Sequence, residues 1–322
     1  MKYEPADRTP NEYLSQLRSL QAGYTLVYSD CFAYWPQMLE AFDSLPGRIG
    51  LATVGMNHMI ERKHSMSSFL SKKGKIDIIC HSDNYQDYMV CQKHGLHAHV
   101  IPNGVSLAEF KVSDWDFRAK YGVTSPKMVL CVSNFFPGKG QEHLVRTLDA
   151  LAEKRKDFAA VFVATSVNFS FAKMLEDQVR FAVKKSKYET RFLKDIPRED
   201  TVQAFFAADV FAFPSQKEVA PLVAIEAQAS HLPWVALPVG NMASLSGGRL
   251  VPFESKDERG YVKYSNRTYQ YFAQAIDDLL NDPLQAMAFA ENGYVQVERE
   301  FNWDAIADRY EVIMRGPIDA KD

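Results

Sequence analysis

Four cysteines are all that the 322 residues contain: Cys31, Cys80, Cys91 and Cys131. No two form a CxxC pair, and no histidine stands at zinc-ligand spacing from them. A disulfide framework and a structural zinc site are thereby excluded, and reduced, buried thiols of a cytoplasmic protein are expected. The opening residues MKYEPADRTPNEYLSQL lack an apolar run, so neither a signal peptide nor an anchor is expected. No stretch approaches the roughly 18 apolar residues of a membrane-spanning helix. Charge of either sign is in short supply as an excess: the formal net charge is −3 and the isoelectric point about 6.3. Such a balance offers no long basic groove, so nucleic acid is not an expected partner. Repeats and low-complexity tracts are missing, and no DxD-like carboxylate pair accompanies the motifs described below. No metal and no cofactor are therefore expected.

The composition itself, 47% hydrophobic and 24% charged, is that of a globular protein able to bury a core. The length suits two domains of roughly 100–200 residues. Apolar runs at Tyr24–Tyr28, Ile49–Val54, Ile76–Cys80 and His99–Ile101 alternate with helix-like segments at Trp35–Phe42 and Asn84–His94. The second half repeats the alternation. Strands are expected at Met128–Val132, Ala159–Ala164, Thr190–Leu193, Val210–Phe213 and Trp234–Leu237, with helices between them. Three helices close the chain, at Thr268–Asn281, Pro283–Phe301 and Trp303–Arg315. This βα alternation predicts parallel sheets, and so an α/β fold of two Rossmann-like domains with ligand at the carboxyl ends of the second sheet's strands. The expected boundaries are 1–110, a linker 111–126, 127–300 and a C-terminal helix 301–322.

The most informative stretch is FAFPSQKEVAPLVAIEAQASHLPWVAL, in which seven residues separate Glu218 from Glu226. A strand enters a turn at Pro214-Ser215, passes Glu218 and starts an Ala-rich helix that carries Glu226. The first N–H groups of that helix lack intrahelical partners, and its dipole favours an anion. Glu226 can accept hydrogen bonds from a diol such as a ribose, and Glu218 from a second polyol. A phosphate between two polyols describes a nucleotide sugar. Upstream, the loop Ser133-Asn134-Phe135-Phe136-Pro137-Gly138-Lys139-Gly140 also joins a strand to a helix and suits a phosphate. It lacks Walker spacing, and its plain alternative is a turn with a solvated lysine.

The segments VLCVSNFFPGKGQEHLV, FLKDIPREDTVQAFFAADVFAFPSQKEVAPLVAIEAQASHLPWVALPVGN, GGRLVP and EFNWDAIADRY, with HVIPNGVSLAEF before them, resemble the retaining glycosyltransferases of GT-B fold (glycosyl transferases group 1). The resemblance covers about two thirds of the chain. It implies that Glu218 holds the donor sugar and Glu226 the ribose. It also implies that the N–H groups of Leu222 and Val223 cradle the diphosphate and that Lys139 neutralises it. Lys194-Asp195-Ile196 matches the segment whose backbone reads the base. Ser133-Asn134 stands where the family usually has Gly-Arg, so half the positive clamp is missing. Val219 replaces a glycine, Ala220 follows it and Pro221 has no N–H, so a reshaped sugar pocket is expected.

The first domain is shorter than the family's usual acceptor domain and lacks its Gly-rich opening loop. Its candidates lie past strand ends: Asp30, His58 and His81-Ser82, with His58 carried as the catalytic one. His94, His97 and His99 are read as a surface cluster. The basic stretch from Glu61-Arg62-Lys63-His64 to Lys72-Lys73-Gly74-Lys75 is a candidate for peripheral contact at the inner face of a membrane, or a solvated face. The implied function is a retaining, metal-independent transfer from a nucleoside-diphosphate sugar, a UDP-sugar favoured, to a saccharide or lipid-linked acceptor. Two alternatives stand beside it: a nucleotide-sugar-binding protein without transferase activity, and a transferase acting on nucleic acid.

Overall fold

The computed structural model describes residues 22–29, 35–54, 74–165 and 170–316, together with positions 12, 15, 16 and 19. The chain divides into two compact units, one of Met1–Pro102 with Ala307–Asp322 and one of Asn103–Ile306. Among the described residues no helix is long and apolar enough to cross a membrane.

In the first unit, β1 (Tyr24–Ser29), β2 (Arg48–Thr53), β3 (Ile76–Cys80) and β4 (Ala98–Val100) pair in chain order as a parallel sheet. Helices α1 (Trp35–Asp43) and α2 (Gln86–Lys93) supply Leu39, Phe42 and Cys91 to its core, against Val27, Ile49, Leu51 and Ile78. Parallel pairing follows from the helices in the connections, since a strand must be carried back across a sheet face before it can run the same way.

The second unit contains α3 (Phe117–Tyr121), β5 (Lys127–Val132), α4 (Gln141–Ala152), β6 (Phe158–Ala164), α5 (Ser170–Val183) and β7 (Glu189–Lys194). It continues with α6 (Arg198–Ala207), β8 (Val210–Phe213), α7 (Leu222–Ala229), β9 (Trp234–Ala236) and β10 (Gly248–Leu250). Every residue of β6 and β8 is buried. Runs such as FAAVFVA are therefore apolar throughout rather than alternating, as a strand covered on both faces requires. Helices α8 (Asn266–Asn281) and α9 (Pro283–Gln296) follow. The Ser265–Thr268 capping box starts α8, and Asp282 caps α9 ahead of Pro283 at its first position. A π-helical turn (Val297–Phe301) separates α9 from α10 (Trp303–Arg315), where a single helix through Phe301 was expected.

The segment read as a linker, 111–126, is part of the second unit. Lys120 bonds Asp200 at 2.7 Å, Ser113 N–H donates to Gln203 at 3.0 Å, and Gln203 donates to Lys111 C=O at 2.7 Å. Residues before this segment also bond within the second unit: Val105 N–H donates to Phe301 C=O at 2.8 Å, and Glu109 meets Arg198 at 2.8 Å.

The strand order of the second sheet is β10-β9-β8-β5-β6-β7, all parallel. From β5 the chain moves outward through β6 to β7, then returns to the other side of β5 as β8. The order reverses between β5 and β8, and a crevice opens at the carboxyl ends of strands where that happens. The loops after β5 and β8 are the two stretches singled out above.

Candidate functional site

A cleft of about 560 Å³ lies at that switch point. Its walls include Ser133, Asn134, Phe136 and Lys139 from the loop after β5, and Thr165 after β6. Ile196 comes from the turn into α6, with Arg198 and Thr201 from that helix; Glu218 and Pro221 come from the turn into α7, with Leu222, Val223 and Glu226 from that helix. Lys194, Asp195, Val219 and Ala220 are not among the lining residues.

The loops are held by their backbones. Gly140 has φ +75°, and a Cβ there would meet the carbonyl oxygen of Pro214 at 2.2 Å. Gln216 N–H donates to Gly138 C=O at 2.7 Å, so the two loops approach as only a residue without a side chain permits. Gln141 closes the first loop by donating to Ser133 and Asn134 C=O at 3.1 and 3.0 Å. Val219 and Ala220 serve from behind. Val219 C=O accepts from Asn241 N–H at 2.9 Å, and Ala220 C=O accepts from the Asn103 amide at 2.8 Å. Neither Gly140, before α4, nor Pro221, before α7, supplies a side-chain cap. The first N–H groups of α7 are therefore presented beside Pro221, Leu222 and Val223, at the cleft.

Two cation–carboxylate pairs mark the polar walls. Lys139 Nζ lies 2.6 Å from Glu218 Oε1, with the Glu218 side chain largely buried. Arg198 Nη2 lies 2.7 Å from Glu226 Oε1, and the same guanidinium holds Glu109 through Nε at 2.8 Å. Burial pushes the Glu226 carboxyl above its ordinary range, Arg198 draws it back, and the more distant Glu109 adds to the rise. The Arg198 guanidinium is raised in turn, first by its hydrogen bond to Glu109 and then by Glu226, against burial. The arrangement can receive an anion at Lys139 and the α7 N-terminus, and a diol at Glu226.

Asn134, where a guanidinium would strengthen the anion clamp, uses its amide oxygen to accept from Thr165 N–H at 3.1 Å. Lys194 turns away, with Nζ 2.6 Å from Glu176. Asp195 adopts φ +54° and donates its N–H to Ala164 C=O at 3.0 Å, and this kink brings Ile196 to the cleft. In the first unit, His81 is buried, with Nδ1 2.9 Å from Ile101 C=O; burial draws its imidazole down, against that hydrogen bond and Asp87. Ser82 Oγ accepts from Asn84 N–H at 3.1 Å. His97 and His99 stack edge to face at 4.7 Å. Asp30, His58 and nearly all of the basic stretch, 61–73, lie outside the described residues.

Sequence reasoning missed Arg198, Glu109 and the aromatic wall at Phe136. One signal for Arg198 was present. It immediately follows the Pro197 turn, and an arginine at the first position of a helix aimed at a ligand crevice opposes the dipole, which calls for a carboxylate partner.

The family described as Glycosyl transferases group 1 matches residues 113–296. Among curated proteins, the chain is 26% identical over 227 residues to the GDP-mannose-dependent monoacylated alpha-(1-6)-phosphatidylinositol monomannoside mannosyltransferase of Corynebacterium glutamicum. That alignment takes in 67% of this chain and 55% of the relative, so the chain spans about half the length of the curated relatives it matches. Among solved structures, a glycosyltransferase from Rickettsia africae superposes with a TM-score of 0.75 at 14% identity, over 98% of this chain and 84% of the other. The Anabaena protein HepE, solved with UDP and glucose, superposes with a TM-score of 0.71 at 18% identity, over 95% of this chain and 80% of the other.

Proposed function

This chain belongs to the glycosyl transferases group 1 family and has the GT-B fold, and on that footing we propose that it transfers a hexose from a nucleoside-diphosphate sugar to a saccharide or lipid-linked acceptor. The observation that carries the reading is the pairing, in one cleft, of Lys139 and the α7 N-terminus with Glu218 and Glu226. On this reading the diphosphate lies between Lys139 and the N–H groups of Leu222 and Val223. Glu226 takes the ribose hydroxyls, and Glu218 those of the sugar. The base sits by Ile196.

For the donor, GDP-mannose replaces the UDP-sugar favoured by sequence. The corynebacterial relative's name carries GDP-mannose, whereas the UDP-bound neighbour is similar at a level that speaks for the fold alone. The acceptor is a saccharide or lipid-linked saccharide, and an inositol-bearing one is supported by the same name. A lipid-linked acceptor would bring the protein to the inner face of a membrane as a peripheral visitor.

The chemistry follows from charge. As the glycosidic bond breaks, negative charge grows on the leaving diphosphate, and a group that binds this charge more tightly than the ground state lowers the barrier. Lys139 and the helix N-terminus supply that binding without a metal ion. Departure on the face where the acceptor attacks lets a diphosphate oxygen take the hydroxyl proton, which gives retention at the anomeric carbon. Glu218, beside Lys139, orients the sugar and the ammonium together.

The test is thermal stabilisation by GDP, UDP and ADP, with Lys139→Met and Glu226→Ala variants alongside, followed by release of GDP from GDP-mannose. A nucleotide at 100 times its Kd adds about 2.7 kcal/mol, a shift of a few degrees. Stabilisation by GDP that both variants abolish supports the reading. Stabilisation by UDP alone overturns the donor assignment, and none by any nucleotide overturns the site. Stoichiometric binding without turnover would favour the non-catalytic alternative, which the loss of a guanidinium at Asn134 motivates.

A further inference from the structure

Arg198 reaches Glu226 from a different helix and is itself held by a third segment. Its Nη2 donates to Glu226 Oε1 at 2.7 Å. Its Nε and Nη2 donate to the two oxygens of Glu109 at 2.8 and 3.2 Å. The guanidinium carbon also stands 5.7 Å from the centre of the Phe110 ring. The planar fork is thus fixed by Glu109 and Phe110 before any ligand arrives, an arrangement that a flexible ammonium would not reproduce.

Glu226 has only 11% of its side chain exposed. A carboxylate in that position must be ionised to accept hydrogen bonds from two neighbouring hydroxyls, since protonation turns one of its oxygens into a donor. Among the described residues, the hydrogen bonds of this carboxylate come from Arg198 alone and fall on Oε1. Oε2 is left for the cleft that Glu226 lines.

We propose that Arg198 is the positioning residue for recognition of the nucleoside's vicinal diol: it pins Oε1 of Glu226 and turns Oε2 toward the two ribose hydroxyls, with Glu109 anchoring the guanidinium. This rests on the reading of the cleft as a nucleotide-sugar site. Arg198 acts through Glu226, so its loss should erase discrimination at the ribose and leave the grip on the diphosphate in place. The charged groups facing Glu226 are Arg198 and Glu109, one drawing the carboxyl down and the other raising it, on a background of burial that raises it. With Arg198 removed, both remaining influences favour the protonated acid.

The experiment is calorimetric titration of the whole chain with GDP, UDP and the analogue of each that lacks both ribose hydroxyls, between pH 5 and 8. Wild type, Arg198→Gln, Arg198→Lys, Glu109→Gln and Glu226→Ala are compared. In wild type the intact nucleotide should bind about tenfold or more tighter than its analogue. In Arg198→Gln that ratio should collapse toward one, as in Glu226→Ala, and the remaining affinity for the intact nucleotide should fall further as pH is lowered. Arg198→Lys should recover part of the ratio. Glu109→Gln, which leaves the arginine in place, should lose a smaller part, so the conclusion does not hang on the folding of one variant. A ratio unchanged in Arg198→Gln but lost in Glu226→Ala overturns the role of Arg198 and leaves the donor-site reading standing. A wild type that binds the intact nucleotide no better than its analogue, or binds none, overturns both.

Discussion

Replacing Gly140 by alanine should damage the candidate site by moving a backbone, without touching a charged group. Two costs add. The residue sits at φ +75°, in the left-handed region, where a side chain costs about 1–2 kcal/mol. The new Cβ would also lie 2.2 Å from the Pro214 carbonyl oxygen and 2.9 Å from its carbon. Those are backbone atoms of the partner loop and cannot rotate aside, so the loop after β8 must shift. Together the two costs should reach about 3 kcal/mol or more, which for a unit of this size lowers Tm by about 6–12 °C. Lys139 is the adjacent residue, and misplacement by about 1 Å can cost on the order of a hundredfold in rate. Gly122→Ala is the control. It has φ +65°, and its Cβ would meet nothing nearer than Arg191 at 3.6 Å, so it should lose only the 1–2 kcal/mol of strain, about a third to two thirds of the effect. Thermal and urea denaturation, with nucleotide titration below the transition, measure both parts. If Gly140→Ala melts with Gly122→Ala and binds nucleotide like wild type, the close approach of the two loops is not what holds the site.

Two further outcomes concern titration. Glu226 has a folded pKa above its unfolded value because burial outweighs Arg198, so its contribution to stability is complete below the unfolded value and is lost as pH rises through the folded one. Glu226→Gln should therefore raise the Tm of the ligand-free protein at pH 7 while abolishing nucleotide stabilisation; a lowered Tm would mean that the Arg198 pair outweighs burial. Glu189 runs the other way. Burial would raise it, but hydrogen bonds from Ser125 and Thr124 hold its carboxyl down at about 2, so its contribution is complete above the unfolded value near 4.5 and is lost as pH falls through about 2. Glu189→Gln should cost about 2 kcal/mol at pH 7 and progressively less below pH 4, read from urea midpoints; a constant difference across that range would refute the assignment.

The parts of the molecule legible in the sequence were those governed by near neighbours. Runs such as VFAF and FAAVFVA, buried from end to end, declared parallel strands, and the helix-like segments between them declared the crossovers. The Gly138–Gly140 turn and the spacing of Glu218 and Glu226 pointed to a crevice at the ends of β5 and β8, because a strand–turn–helix unit presents its first N–H groups wherever it occurs. The strand β10, only three residues long, and the short α3 carried too little periodicity to be read.

What tertiary structure alone decided is which charges meet. Lys194, part of the segment expected to read the base, bonds Glu176 on α5. Asn134 spends its amide oxygen on the backbone after β6. Arg198, marked in its own stretch only as a cation at a helix start, joins Glu226 to a glutamate 89 residues before it. The order along the chain determines which N–H groups a helix exposes, because those are set by the backbone within one turn. The partner of a long charged side chain is set by packing between segments far apart in sequence, and at this cleft that packing set Arg198 against Glu226.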